Sequence, residues 1–167
     1  KMYPSLLINY IQKNHLMKMR YLHITNTNKK IKRIMTEQEK TILTIDWLNK
    51  KFNLIIKKTT GQFDLWDAQD DKRIIEFKFR NKYYKEKYIQ VDKFYALLMA
   101  AEYYNKDAYY IVVDNEVRIF NLTGLKKELI NSDVIINQAP YQTEFKNNKK
   151  INKYFYILNQ SNQTNQL

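Results

Sequence analysis

Apolar positions along the chain fall into short blocks whose period changes several times. Over residues 3–22, Leu6, Leu7, Tyr10, Ile11, Met17, Tyr21 and Leu22 recur at loosely helical spacing, with Lys13, Lys18 and Arg20 between them, which predicts an amphipathic helix. Residues 25–30 are polar and read as a loop. Thr36-Glu37-Gln38-Glu39 has the form of a capping box and opens a helix through Ile42, Leu43, Ile45, Trp47 and Leu48. A short strand is expected over residues 52–57. A hairpin of two strands, 63–68 and 72–79, follows around Gln69-Asp70-Asp71. Helical spacing returns over residues 86–104, where Ile89, Phe94, Leu97, Leu98 and Ala101 form the expected buried side. Strands are predicted at 109–113 and 117–120, joined by a turn at Asp114-Asn115. Residues 125–130 suit one or two helical turns, and the last apolar run covers 154–158. This order predicts an α/β or α+β domain with a mixed central sheet flanked by helices. It places that domain at residues 36–158, behind a basic N-terminal segment at 1–35 and ahead of a disordered tail at 159–167.

Composition narrows the function classes. The 167 residues include no cysteine, two histidines, two glycines and two prolines. Disulfide scaffolds, thiol catalysis, Cys-based metal sites and Pro- or Gly-rich architectures are thereby excluded. No run reaches the ~18 apolar residues of a membrane span, and no signal segment is evident. The chain is therefore expected to be cytoplasmic, with no membrane partner. Net charge is +12, unevenly spread: residues 1–35 hold eight Lys or Arg and no acid. Residues 36–120 are nearly balanced, and the remainder is mildly basic. Such asymmetry favours a polyanionic partner, nucleic acid first and an anionic membrane surface second. A solvated basic surface explains the same charge without any partner.

The chemistry concentrates in Gly61-Gln62-Phe63-Asp64-Leu65-Trp66-Asp67 and Ile74-Ile75-Glu76-Phe77-Lys78-Phe79. Alternation along a strand projects Glu76 and Lys78 together while Ile75, Phe77 and Phe79 point into the core. A hairpin centred on Asp70 sets Asp64 opposite Glu76 and leaves Asp67 to pair with Arg73 on the other face. Two opposed carboxylates repel unless a cation lies between them. Mg²⁺ or Mn²⁺ suits such a site, because a hard ion takes one or two carboxylates and completes its shell with water and phosphate oxygens. A solvated charged hairpin face is the plainer alternative.

Together these residues resemble the PD-(D/E)XK nuclease superfamily, with its restriction-endonuclease-like core. The family pattern is a helix with a Glu, an Asp on one core strand, E-x-K on the next, and a following helix. It maps onto Glu39, Asp64, Glu76 and Lys78, and covers about residues 36–122. Gly61 ahead of the Asp and Gln90 on the following helix are similar to the RecB and lambda-exonuclease branch. That branch has Tyr four places after the Gln, where this chain has Phe94, with Tyr95 next. The family's eponymous Pro is replaced by Phe63.

The resemblance implies a metal-dependent deoxyribonuclease of DNA repair, recombination, restriction or phage DNA processing. It implies a metal held by Asp64, Glu76, the Phe77 carbonyl and Glu39, with Lys78 assisting the water and Gln90 in a catalytic role. A member cutting two strands of a junction would work as a homodimer. Lys82, Tyr84, Lys85, Lys87 and Lys93 interleave cations with aromatics after the E-x-K strand and are expected to contact nucleic acid. The rival reading is a non-catalytic nucleic-acid-binding or structural module on the same scaffold, which would hold DNA without metal.

Overall fold

A computed structural model describes residues 21–26, 29–60, 65–140 and 150–167. Two strands, β1 (Tyr21–Asn26) and β2 (Lys29–Ile34), pair antiparallel with Asn26 opposite Lys29. Residues 25–30, read as a loop, thus contain the ends of both strands. The rest of the basic segment expected as a helix lies outside the described residues.

The first helix, α1 (Glu37–Phe52), starts where the capping box predicts. The Thr36 hydroxyl accepts from the Glu39 N–H at 3.3 Å, and the Glu39 carboxylate accepts from the Thr36 N–H at 2.9 Å and its hydroxyl at 3.0 Å. The helix runs four residues past Leu48 and ends at Asn53, whose φ of 55° caps it in the left-handed conformation. The strand expected over 52–57 therefore shrinks to β3 (Lys57–Lys58). Its hairpin partner is also short: β4 spans Ala68–Gln69 and pairs with β5 (Arg73–Phe79).

Residues 86–90, expected to be helical, instead form β6 (Lys87–Gln90), and α2 (Val91–Tyr103) starts after it. Lys87 and Ile89 point inward while Tyr88 and Gln90 alternate with them, a strand pattern that a four-residue stretch beside a helix conceals. The remaining elements are β7 (Asp107–Val113), β8 (Val117–Asn121), α3 (Leu122–Ile130), β9 (Ile135–Pro140) and β10 (Lys150–Leu158).

The central five-stranded sheet has the order β3-β4-β5-β7-β8. It is mixed, because β5 and β7 run parallel across the α2 connection whereas the other pairs are antiparallel. This is the predicted architecture, a mixed sheet flanked by helices, with a helix before and a helix after the E-x-K strand. Ile75, Phe77, Tyr109, Ile111 and Val113 pack on one face against Ile45, Trp47 and Leu48 of α1. Ile74, Ala108, Tyr110, Val112 and Phe120 pack on the other against Phe94, Leu97, Leu98 and Ala101 of α2 and Leu129 of α3. A second sheet, ordered β6-β10-β9, joins residues far apart in the chain.

Residues 159–167, expected as a disordered tail, fold back: Gln160–Asn162 form a 3₁₀ turn, Asn162 is buried, and Thr164 bridges Ile119. Among the described residues no helix is long and apolar enough to cross a membrane.

The cap yields a first prediction. Thr36→Ala should cost about 1 kcal/mol of stability, whereas Glu39→Gln should be nearly neutral because Gln serves equally in a capping box. Chemical denaturation of the two variants checks both.

Candidate active site

The β4–β5 turn determines which acid meets Glu76. Asp70 initiates the turn: its carboxylate accepts from the N–H groups of Lys72 (2.9 Å) and Arg73 (2.8 Å), and it pairs with the Arg73 guanidinium at 2.6 Å. Such an Asx turn needs the chain to reverse after Asp70, not around it. Ala68 consequently faces Ile75, and the Asp67 N–H donates to the Ile75 carbonyl at 2.9 Å. The acid whose charge reaches Glu76 is Asp67. The expected register, with Asp64 opposite Glu76 and an Asp67–Arg73 ion pair, is corrected accordingly. Asp64 and Gly61 themselves lie outside the described residues.

Alternation on β5 is as predicted. Phe77 is buried, while Glu76 and Lys78 continue the row of Ile74 on the α2 side of the sheet and line one groove. The Asp67 carboxylate accepts from the Phe77 N–H at 2.7 Å. A residue in an antiparallel pair offers its N–H and C=O to the same neighbour, so the Phe77 carbonyl faces the edge where Asp67 stands.

The electrostatics of this cluster are strained in one direction. Burial, then the charge of Asp67, pushes the Glu76 carboxyl up to about 7. Burial likewise raises Asp67, against the backbone hydrogen bond from Phe77 that lowers it. Burial, then the positive charge of Arg80, holds Lys78 below the ordinary lysine value. Desolvation of these two half-buried acids outweighs the charges of Lys93 and Lys78, which act the other way on both.

Other expected residues distribute differently. Lys93, expected on nucleic acid, reaches from α2 into the cluster, 3.0 Å from a Glu76 oxygen and 2.9 Å from the Leu65 carbonyl. Lys87, also expected on nucleic acid, is buried: its ammonium pairs with Asp114 and donates to the Tyr84 carbonyl. Lys82 and Tyr84 are exposed and line the groove. Lys85 is exposed, and its carbonyl accepts from Arg118 at 3.1 Å. Gln90, as the residue that caps α2 and pairs with Phe155, also reaches the groove. Glu39, expected as a ligand, closes the capping box, and the acid of α1 that lines the groove is Glu37. Its charge raises Asp67 and favours the charged form of Lys78.

Sequence reasoning also missed the far wall, where Ala139, Pro140, Lys153 and Phe155 come from β9 and β10. Thr36 and Glu39 are legible as a capping pair, which leaves Glu37 as the α1 acid at the groove; nothing in the local pattern announced Lys153.

Among the described residues no three His, Cys, Asp or Glu side chains cluster tightly enough to form a metal cage. The donor set is two carboxylates and a carbonyl. It suits a hard divalent ion that keeps water and phosphate oxygens in its remaining positions.

No family model and no curated protein matches the chain. Among solved structures, the chain is similar to the Archaeoglobus fulgidus Hjc, a Holliday junction resolvase from an archaeal hyperthermophile. The TM-score is 0.41 at 16% identity, over 70% of this chain and 88% of that one.

Proposed function

We propose that this chain is a divalent-metal-dependent nuclease that hydrolyses phosphodiester bonds in DNA. The observation that carries the reading is the half-buried Glu76, raised by desolvation and by the charge of Asp67 and with Lys78 beside it, in a groove lined by Arg80, Lys82, Lys93 and Lys153. Asp67, Glu76 and the Phe77 carbonyl would hold Mg²⁺ or Mn²⁺, which supplies polarisation of the phosphodiester and a lowered pKa for an attacking water. Asp64 belongs to the proposal as the acid the family pattern designates.

The chain's own groups perform the rest. Lys78 donates to the water or to the phosphate oxygen on which charge develops, and burial with the neighbouring Arg80 holds its pKa below the ordinary lysine value. Gln90 orients the same water from the start of α2. Arg80, Lys82 and Lys153 bind the backbone phosphates. Lys93 neutralises Glu76 when no metal is bound and turns to phosphate when one is.

One observation favours the rival, a binding module without chemistry: the Lys93 ammonium already supplies a positive charge to Glu76. The two separate on cleavage of labelled single-stranded, duplex and branched DNA in Mn²⁺, beside Glu76→Ala and Lys78→Ala. Cutting by the parent protein alone supports the nuclease. Binding that is unaffected by EDTA, with no cutting by any of the three, supports the module.

Asp67→Asn should lower cleavage about 100-fold or more, since even groups that only support a metal ligand are worth 10–100-fold. An Asp67→Asn protein that cuts normally, beside an inert Asp64→Asn, would return the ligand role to Asp64.

A further inference from the structure

Next to the groove, and sharing Lys78 with it, lies a cavity of about 350 Å³ between the 80–88 segment and strand β9. We propose that this cavity receives one unpaired nucleobase of the strand whose phosphate lies at Lys78. Its size falls in the range of small-molecule pockets, and its lining combines cations, tyrosines and amides. The cations are Lys78, Arg80 and Lys87, of which Lys87 is buried and already paired with Asp114. The Arg80 guanidinium lies 6.0 Å from the centroid of the Tyr84 ring, so charge and aromatic surface are presented together. Tyr84, Tyr88 and the buried Val112 also line it. Asn137 and Gln138 of β9 line it too, and since neighbours on a strand face opposite ways, one of their two amides is available to it.

This combination of surfaces fits one chemical class. A planar heterocycle stacks on tyrosine faces. Its donor and acceptor edge meets an amide that carries both kinds of group. The phosphate to which it is joined stays at Lys78 and Arg80. Glu86, which also lines the cavity and accepts from the Tyr88 hydroxyl at 2.6 Å, disfavours a phosphate beside it. A base within a duplex has its edge paired and its faces stacked, so only an unpaired nucleotide can enter. The substrate class is thereby a single strand, an overhang or a branch point. Tyr84 is already positioned for this: the buried Lys87 ammonium holds its carbonyl while its side chain remains half exposed.

The proposal rests on the nuclease reading for the placement of the phosphate, and the experiment separates the two. Fluorescence anisotropy in EDTA compares a blunt duplex, the same duplex with a three-nucleotide overhang, and that overhang made abasic. The overhang should bind about ten-fold tighter than the blunt duplex, and the abasic version should lose the gain. Tyr84→Ala should abolish the preference and Tyr84→Phe should keep it. A 2-aminopurine in the overhang should be quenched on binding to the parent protein. Equal binding of overhang and blunt duplex, or an abasic overhang as good as a normal one, overturns the pocket. Cleavage of blunt duplex in Mn²⁺ without base-dependent binding overturns the pocket and leaves the nuclease. Base-dependent binding without cleavage does the reverse.

Discussion

At pH 8 and without divalent ions, Glu76→Gln should melt several degrees above the parent protein, and in Mn²⁺ it should cut no DNA. The stability gain follows from the carboxyl being raised from the ordinary 4.5 to about 7 by burial and by Asp67. A raised carboxyl favours the folded state in its protonated form. Its contribution is complete below about pH 4.5 and is lost as pH rises through 7, a difference of about 3 kcal/mol across the window. Glutamine mimics the protonated acid at every pH. The two proteins should therefore converge near pH 4.5 and separate on the alkaline side. For a chain of this length, each kcal/mol moves the melting temperature by roughly 2–4 °C. Mg²⁺ should reverse the order by stabilising only the parent, since it binds the ionised acid. Thermal unfolding at pH 4.5 and pH 8, with EDTA and with Mg²⁺, checks all four corners. Equal melting temperatures at pH 8 in EDTA would remove the electrostatic account of the site.

Asp114→Ala should be the most destabilising single change outside the sheet core. Asp114 and Lys87 have side chains that are 0% and 2% exposed, and they meet between the 80–86 segment and the β7–β8 turn. Around them, Arg118 bonds Glu116, the Lys85 carbonyl and the Tyr83 hydroxyl at 3.0–3.1 Å. Removing one partner of such a pair leaves a buried ammonium without a counter-charge, a loss of about 3–5 kcal/mol. Replacing both by apolar residues, as in Lys87→Met with Asp114→Leu, should recover most of it, because no charge is then stranded. Urea unfolding of the single and double variants gives the coupling directly. A single variant that loses less than the double would refute the stranded-charge explanation.

Much of this arrangement is legible in the chain. The capping box locates α1, strict alternation in Ile74–Phe79 sorts Glu76 and Lys78 from the core, and the aliphatic runs at 109–113 and 117–120 locate the sheet's far strands. The register of the hairpin is not legible from its apolar positions, since β4 has only two residues and a side chain sets the turn. Asp70 was available as a turn initiator, and reading it so points to Asp67. Lys87 looked like a surface cation because its counter-ion stands twenty-seven residues away. The stretch 87–90 looked helical because its partner, β10, is more than sixty residues downstream.

That last pairing has a consequence for the order of assembly during synthesis. The acids and the E-x-K strand precede the crossover helix, Val91–Tyr103, in the chain. Lys153 and Phe155 arrive much later, and without β10 the strand leading into α2 has no neighbour to hold it. A nascent chain therefore carries every acid of the candidate centre well before it carries the wall that would hold a DNA strand there. The groove is thus complete only when residues 150–158 are present to pair with β6 and supply its far wall.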